Sequence, residues 1–151
     1  MCGGIGFRFR NIPKNRMKEF FSDAEIERFE RKGEAQSYFW SKRPVLPVEN
    51  KGKTDLVDWG NREKDIKLPK TGWAKAESID EGKWGYLKPE FVNIPAEKGY
   101  EKGVWFDIKG KGIKGLIIEK DKQKRAYMVT KQADQAYLKL THHNREPIIN
   151  K

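Results

Sequence analysis

The first ten residues, Met1-Cys2-Gly3-Gly4-Ile5-Gly6-Phe7-Arg8-Phe9-Arg10, decide how the rest of the chain is interpreted. From Ile5 to Arg10, large apolar side chains alternate with glycine or arginine. Alternation with a period of two predicts a β-strand with one buried face. We therefore expect Cys2 to be anchored at the end of a sheet. The Gly3-Gly4 pair permits a close approach that a side chain would obstruct.

The residues that follow predict several short strands and few helices. Ser22-Asp23-Ala24-Glu25 has the capping-box pattern and Gly33 is placed to end a helix, which predicts a helix from about Asp23 to Lys32. A second helix is predicted over Gln132–Leu140, with four residues on one face: Ala133, Ala136, Tyr137 and Leu140. Strands are predicted over residues 37–40, 45–48, 54–60, 91–95, 104–108, 115–119 and 125–130.

Many short strands, few helices and no alternation of strand with crossover helix predict an α+β fold that is mainly antiparallel and barrel-like. Pro44 and Pro47 predict that residues 45–48 form an edge or irregular strand. The stretch from Asn61 to Thr71 is predicted to be a solvated polar loop. With 151 residues and no repeat or linker, residues 1–151 are predicted to form a single compact domain.

The composition favours a polyanionic partner. The chain has 32 Lys+Arg against 22 Asp+Glu, a net charge of +10 that attracts polyanions, although a Lys-rich surface also serves solubility alone. One cysteine excludes an intramolecular disulfide, and no Cys/His cluster has zinc spacing. No apolar run approaches the roughly 18–20 residues of a membrane span, and the start lacks the layout of a signal peptide. We therefore expect a soluble cytoplasmic protein, monomeric, with no membrane partner.

Cys2 is the only cysteine, and removal of the initiator Met would make it the amino terminus. A terminal cysteine combines an α-amine of pKa about 7.7–8.0 with a thiol of pKa about 8.5. Part of the amine is then neutral near pH 7, and a cationic setting would favour the thiolate. Such a 1,2-aminothiol condenses with an aldehyde to an imine, which the sulfur closes to a thiazolidine. A lone cysteine near a terminus also occurs without any function.

Three segments in order carry a resemblance. They are Met1-Cys2-Gly3, then Pro95-Ala96 with Tyr100-Glu101, then residues 143–147 with the sequence His-Asn-Arg-Glu-Pro. The chain resembles the SOS response-associated peptidase (SRAP) family, which has Met-Cys-Gly-Arg, Pro-Ala-x-Gly-Phe-Tyr-Glu-Trp and His-x-Arg-Met-Pro in this order. Residues 73–77, Trp-Ala-Lys-Ala-Glu, stand where that family has Asn-Ala-Arg-x-Glu. The similarity spans nearly the whole chain in register.

The resemblance implies a SRAP-type fold and a covalent activity on damaged DNA. In that family the mature amino-terminal Cys captures the aldehyde of an abasic site in single-stranded DNA as a thiazolidine crosslink, and the family removes its own initiator Met. Carried over, Cys2 is the nucleophile and Glu101 and His143 are catalytic. Proton transfer near neutral pH suits a His and a Glu. The implied partner is single-stranded DNA with abasic sites, at the nucleoid, with no cofactor and no metal.

Further residues are predicted to hold or orient the DNA. Lys75 matches a phosphate-contacting Arg of the family, and cationic side chains give a salt-dependent hold on phosphates. The predicted DNA-binding residues are Lys75, Arg145, Arg8, Lys42 and Arg43. Trp73 and Glu77 are candidate orienting residues. Exposed aromatic side chains would stack unpaired bases.

Several positions depart from the family pattern and indicate a short, divergent member. Gly4 replaces an Arg, and Trp73 replaces the Asn that orients the terminal Cys, although a Trp donates one hydrogen bond and accepts none. Lys102 replaces the Trp after the catalytic Glu, which leaves Asp107 as an alternative carboxylate to Glu101. Two other hypotheses therefore stay open. One is a non-catalytic nucleic-acid-binding descendant, and the other is a thiol peptidase limited to its own Met1.

Overall fold

The computed structural model describes residues 2–151, in which twelve strands and four α-helices are found. The strands are β1 (Gly4–Phe7), β2 (Ala35–Tyr38), β3 (Val45–Asn50), β4 (Lys53–Trp59), β5 (Trp73–Lys75), β6 (Glu90–Ile94), β7 (Lys98–Glu101), β8 (Val104–Asp107), β9 (Gly112–Lys120), β10 (Gln123–Gln132), β11 (Arg145–Pro147) and β12 (Ile149–Asn150). The helices are α1 (Lys14–Phe20), α2 (Asp23–Lys32), α3 (Ala76–Asp80) and α4 (Gln135–Thr141), and a 3-10 turn spans Gly85–Leu87.

The strands form two sheets. The small sheet is antiparallel throughout, in the order β2-β1-β7-β8. The large sheet runs β11-β10-β4-β3-β6-β9-β12, and β9 also pairs with β10. This extra pairing closes the strands β10, β4, β3, β6 and β9 into a barrel-like ring, in which only the β10–β4 pairing is parallel. The predicted α+β, mainly antiparallel and barrel-like fold is confirmed.

Strand β1 joins the small sheet to the main core. Ile5 and Phe7 are fully buried on its inner face, in the same apolar cluster as Leu46 and Ile113 of the barrel strands. On its outer face, a Cβ atom at Gly4 would lie 2.6 Å from Cδ1 of Tyr38, so only glycine fits beneath that ring. The predicted alternation is therefore correct, although the strand ends earlier than Arg10.

Helix α2 has its predicted bounds. The Ser22 hydroxyl accepts from the Glu25 backbone N–H, and the Glu25 carboxylate accepts from the Ser22 backbone N–H. Gly33 ends the helix with φ of 72°, in the left-handed region that glycine adopts without strain. Sequence analysis missed α1, which buries only Met17 and therefore lacks an apolar repeat. None of the helices within residues 2–151 is long and apolar enough to cross a membrane.

Two local predictions are wrong. Helix α4 starts at Gln135, because β10 continues to Gln132 and the Asp134 carboxylate caps the helix at the Tyr137 N–H. Of the predicted apolar face, Tyr137 is buried whereas Leu140 is half exposed. Strand β3 is an interior strand of the ring rather than an edge. Strand β3 pairs with β6 only at Glu49, so that side of β3 has no continuous ladder for Pro47, which lacks a backbone N–H, to interrupt.

Candidate active site around Cys2

The backbone at Cys2 is fixed from three sides. The Gly3 N–H donates to the Tyr100 carbonyl of β7 at 2.8 Å, and the Phe39 N–H, just after β2, donates to the Gly3 carbonyl at 3.0 Å. On the third side the Trp73 indole Nε1–H donates to the Cys2 carbonyl at 2.9 Å. Trp73 opens β5, which is paired with β10 of the barrel. Trp73 thus uses its single hydrogen-bond donor on Cys2 itself.

The Cys2 side chain points into the protein. Cys2 is fully buried, and its thiol donates a hydrogen bond to the Gly4 carbonyl at 3.0 Å. A Cβ atom at Gly99 would lie 3.0 Å from the Cys2 Sγ, so the absence of a side chain there makes room for the sulfur. Burial raises the pKa of the thiol to about 12. This setting does not favour the thiolate, because desolvation outweighs the surrounding hydrogen bonds.

Glu101 and His143 form a pair beside this cysteine. Their Oε1 and Nε2 atoms are 3.5 Å apart, and Glu101 is only 5% exposed. His143 Nδ1 accepts from the Arg145 backbone N–H at 3.1 Å, so the neutral imidazole carries its proton on Nε2, facing the carboxylate. Burial lowers the pKa of His143. A neutral imidazole donating to a buried carboxylate is the arrangement expected of a proton-transfer pair.

Tight backbone turns hold both members of the pair. Glu101 is the last residue of β7, and the two turn residues after it, Lys102 and Gly103, have φ of 47° and 83°. Turns with two positive φ angles match the twist of the joined strands. His142 ends α4 in the left-handed region, and its carbonyl accepts from Lys102 Nζ at 3.2 Å. Lys102 therefore ties the two loops together.

The hairpin also separates the two candidate carboxylates. In the register of β7 with β8, Glu101 lies opposite Val104 at the turn, whereas Asp107 lies opposite Lys98 at the other end. The structure therefore brings Glu101, and not Asp107, next to His143.

Tyr137 is a residue of this region that sequence analysis assigned only to a helix face. It is 8% exposed, and its ring makes an edge contact with Phe106 at 5.2 Å between centroids. Among the described residues its hydroxyl has no hydrogen-bond partner. Burial raises the pKa of the hydroxyl, and the nearby Glu101 carboxylate acts in the same direction. The available signal was a Tyr, rather than a Phe, on a face expected to be buried.

The predicted DNA-binding residues have different surroundings. Arg145 pairs with Glu77 at 2.7 Å and donates to the Thr130 carbonyl, so its guanidinium ties α3 to β10. Its partner Glu77 has a pKa lowered by this hydrogen bond. Arg8, by contrast, is an exposed cation paired with Glu97. The assignment of these residues to DNA contacts stays a prediction.

The remaining predicted contacts lie on the surface. Arg43 pairs with Asp58 at 3.0 Å and covers the Phe20 ring at 4.2 Å. Lys42 and Lys75 are exposed, and no carboxylate within residues 2–151 pairs with either. The same part of the chain contains no group of three His, Cys, Asp or Glu side chains that could hold a metal ion.

No protein-family profile matches this chain, and no curated protein matches it. A crystal structure of a Bacteroides thetaiotaomicron protein, solved as a structural genomics target, is similar with a TM-score of 0.46 and 12% sequence identity. The similarity covers 89% of this chain and 71% of that chain. Because a likeness of this size says nothing about activity, the interpretation of the site rests on its own geometry.

Proposed function

We propose that this protein captures abasic sites in single-stranded DNA through Cys2 after removal of Met1. The observation that carries the proposal is the Glu101–His143 pair, with 3.5 Å between Oε1 and Nε2, beside a cysteine whose carbonyl Trp73 fixes. The order of segments that resembles the SRAP family supports the same chemistry. The net charge of +10 suits a polyanionic strand.

The covalent step balances without a redox partner. The terminal amine of Cys2 adds to C1′ of the ring-opened abasic sugar, and the resulting carbinolamine loses water to form an imine. The sulfur then adds to the imine carbon, and the thiol proton goes to the nitrogen. The products are one thiazolidine ring and one water molecule, so no oxidant or cofactor takes part in this sequence.

Glu101, oriented by His143, carries out the proton transfers. The closed sugar opens only when a proton leaves its C1′ hydroxyl and one reaches the ring oxygen, and loss of water from the carbinolamine again needs a proton donor. The Glu101 carboxylate accepts each proton and, as the carboxylic acid so formed, gives it back, while the His143 Nε2–H donates a hydrogen bond that orients this group.

The burial of the thiol favours one order of events. With a pKa of about 12 the Cys2 sulfur is protonated at neutral pH, so it is a poor nucleophile towards the aldehyde. The amine therefore reacts first and the thiol closes the ring last, when it is already tethered to the electrophilic carbon. High effective concentration compensates for the missing charge in such an intramolecular step.

A denaturing gel tests the proposal. Purified protein whose Met1 is gone by intact mass is mixed with a single-stranded oligonucleotide carrying one abasic site, beside an undamaged oligonucleotide and a Cys2→Ala variant. We expect a slowly migrating product that requires both the lesion and Cys2. No product from fully processed, folded protein would end the covalent hypothesis.

One observation favours a second candidate, a binding module without chemistry. Cys2 is fully buried, so nothing exposes its sulfur to a ligand in this conformation. If this candidate is correct, the Cys2→Ala variant should bind DNA as the natural protein does, with no covalent product under any condition.

Removal of Met1 is tested separately. Retention of Met1 in Glu101→Gln and His143→Gln proteins would identify the pair as the means by which Met1 is removed.

A further inference from the structure

The outer face of the small sheet carries four clustered aromatic side chains, which we name the aromatic platform: Tyr38, Trp40, Tyr100 and Trp105. Tyr38 and Trp40 are stacked with 4.7 Å between ring centroids and 30° between planes. Tyr100 and Trp105 meet edge to face at 5.0 Å, and Tyr38 contacts both. The four rings therefore form one continuous surface.

Solvent reaches this platform, which is unusual for side chains of this size. Trp40 is 58% exposed and Trp105 is 37% exposed. Exposed aromatic clusters of this kind mark binding surfaces more often than single exposed rings do. Glycine beneath the rings lets them lie on the sheet, because a Cβ at Gly4 would collide with Tyr38 at 2.6 Å.

The platform adjoins the Cys2 site. Successive residues of β7 face opposite sides of the sheet, so Tyr100 belongs to the platform while Glu101 faces the site. A Cβ atom at Gly3 would lie 3.1 Å from Trp40 Cζ3 and 3.9 Å from Glu101 Oε2. The Trp40 ring and the catalytic carboxylate thus reach the same backbone position next to Cys2.

On its other side the platform opens into a charged groove of about 700 Å³, which Tyr38 also lines. Five cationic side chains line it: Arg28, Lys42, Arg43, Arg62 and Arg125. Three carboxylates line it as well: Glu25, Asp58 and Glu63. Ion pairs occupy Arg43 and Arg125, whereas no carboxylate of the described chain pairs with Arg28 or Lys42.

We propose that the aromatic platform and this groove hold undamaged nucleotides of a single-stranded nucleic acid that extends away from Cys2. A base stacks on the Trp40 ring, which is supported from behind by Tyr38, and the following phosphates lie against Arg28 and Lys42. The proposal rests on the proposed function for the kind of strand that is bound, and it extends the interface beyond the lesion. Stacking on aromatic rings beside a cationic groove is the usual mode for unpaired strands.

The chemistry of the surface favours this occupant over a second protein. A protein partner would need its own apolar patch to cover the rings, and beside them it would meet an excess of cations. A nucleic acid strand offers a flat base and a phosphate at each step, which matches a stacked ring followed by a cationic groove. The net charge of +10 acts in the same direction.

Fluorescence anisotropy with a labelled, undamaged oligo(dT) strand tests the proposal, using Cys2→Ala protein so that no covalent step contributes. We expect Trp40→Ala to weaken binding roughly 5- to 150-fold, the loss of one stacked base. Trp40→Phe, which keeps a ring, restores most of the affinity. Tyr86→Ala is the matched control, because Tyr86 is 73% exposed but lies outside the platform, and it leaves affinity within about twofold.

Salt dependence tests the groove separately. Each phosphate contact removed reduces the slope of log affinity against log salt by about 0.7 for single strands. We expect Arg28→Gln and Lys42→Gln each to produce this change. Lys53→Gln removes an equal charge from the exposed start of β4, outside the groove, and should leave the slope unaltered.

Failure here is distinguishable from failure of the covalent chemistry. If Trp40→Ala and Trp40→Phe both bind undamaged strands like the parent, or if Tyr86→Ala weakens binding equally, the platform does not hold bases. A Trp40-dependent dimer with unchanged DNA affinity would also overturn the proposal in favour of a second copy as the occupant. Absence of a crosslink to abasic DNA bears only on Cys2, since the anisotropy measurement contains no lesion.

Discussion

The two faces of the small sheet reverse the usual distribution of side chains. Its inner side holds a buried thiol and a buried carboxylate, at Cys2 and Glu101, against which the half-buried imidazole of His143 lies. Its outer side exposes indole rings, with Trp40 at 58%. Buried ionisable groups and exposed clustered aromatics are both uncommon, and each is costly unless something uses it. One thin sheet that carries both is the strongest physical indication that function is concentrated there.

Removal of the buried charge at Glu101 tests the role of the inner face most strongly. Glu101→Gln keeps the shape but not the base, so we expect the single-turnover crosslinking rate to fall about 10²- to 10⁴-fold. The rate is measured by quenched denaturing gels with excess protein. Asp107→Asn is the control, since Asp107 lies at the far end of the same hairpin. Equal losses from both variants would contradict the assignment of Glu101.

A second test fills the space that the thiol occupies. A Cβ atom at Gly99 would lie 2.3 Å from Phe106 Cζ and 3.0 Å from the Cys2 sulfur, so Gly99→Ala should lower the free energy of unfolding by about 1–3 kcal/mol. Gly85→Ala is matched, because a Cβ there meets nothing within 4 Å. Urea unfolding compares the two. If Gly99→Ala proves as harmless as Gly85→Ala, the tight packing around the sulfur is refuted.

A third test concerns the hydrogen bond that orients Cys2. Trp73→Phe keeps the ring packing and removes the donor to the Cys2 carbonyl, which should cost about 1 kcal/mol of stability. We also expect slower crosslinking at saturating DNA, because the terminus is less well held. Chemical denaturation and the gel assay measure the two effects. Unchanged values in both would show that the bond has no role.

The smallest expected effect is a pH dependence. Burial lowers the pKa of His143 below its unfolded value of about 6.5. Between those two pKa values the unfolded chain binds a proton that the folded chain does not, so stability should fall as the pH drops through this window. His143→Gln should remove that part of the slope, as followed by urea unfolding at several pH values. His142→Asn, an exposed neighbour, should preserve it.

The elements that sequence analysis predicted correctly are those determined locally. The capping box at Ser22 and the alternation in β1 need only neighbouring residues. The pairing of β9 with β10 that closes the ring was not predicted, because it depends on the register of these two strands and on their other partners. Helix α1 was not predicted, because Met17 is its only buried residue and leaves no apolar repeat in the sequence.

The site divides in the same way. Resemblance of short segments predicted that Glu101 and His143 act together, and the structure brings them within 3.5 Å. The burial of the Cys2 thiol was not predicted, because it depends on residues from distant strands. The aromatic platform was not predicted either, again because it depends on strand pairing. Tyr38 and Tyr100 are 62 positions apart in the chain, and only the pairing of both strands with β1 makes them neighbours.

The two-residue turn at Lys102-Gly103 constrains how relatives of this chain can vary in length. Side chains alternate along β7, so a slip of one residue in that strand would turn Tyr100 inward and the Glu101 carboxylate out to solvent. A single insertion or deletion before the turn would thus exchange the occupants of the two faces at once. Lineages that keep both faces should vary freely in the loops elsewhere, and keep this hairpin at constant length.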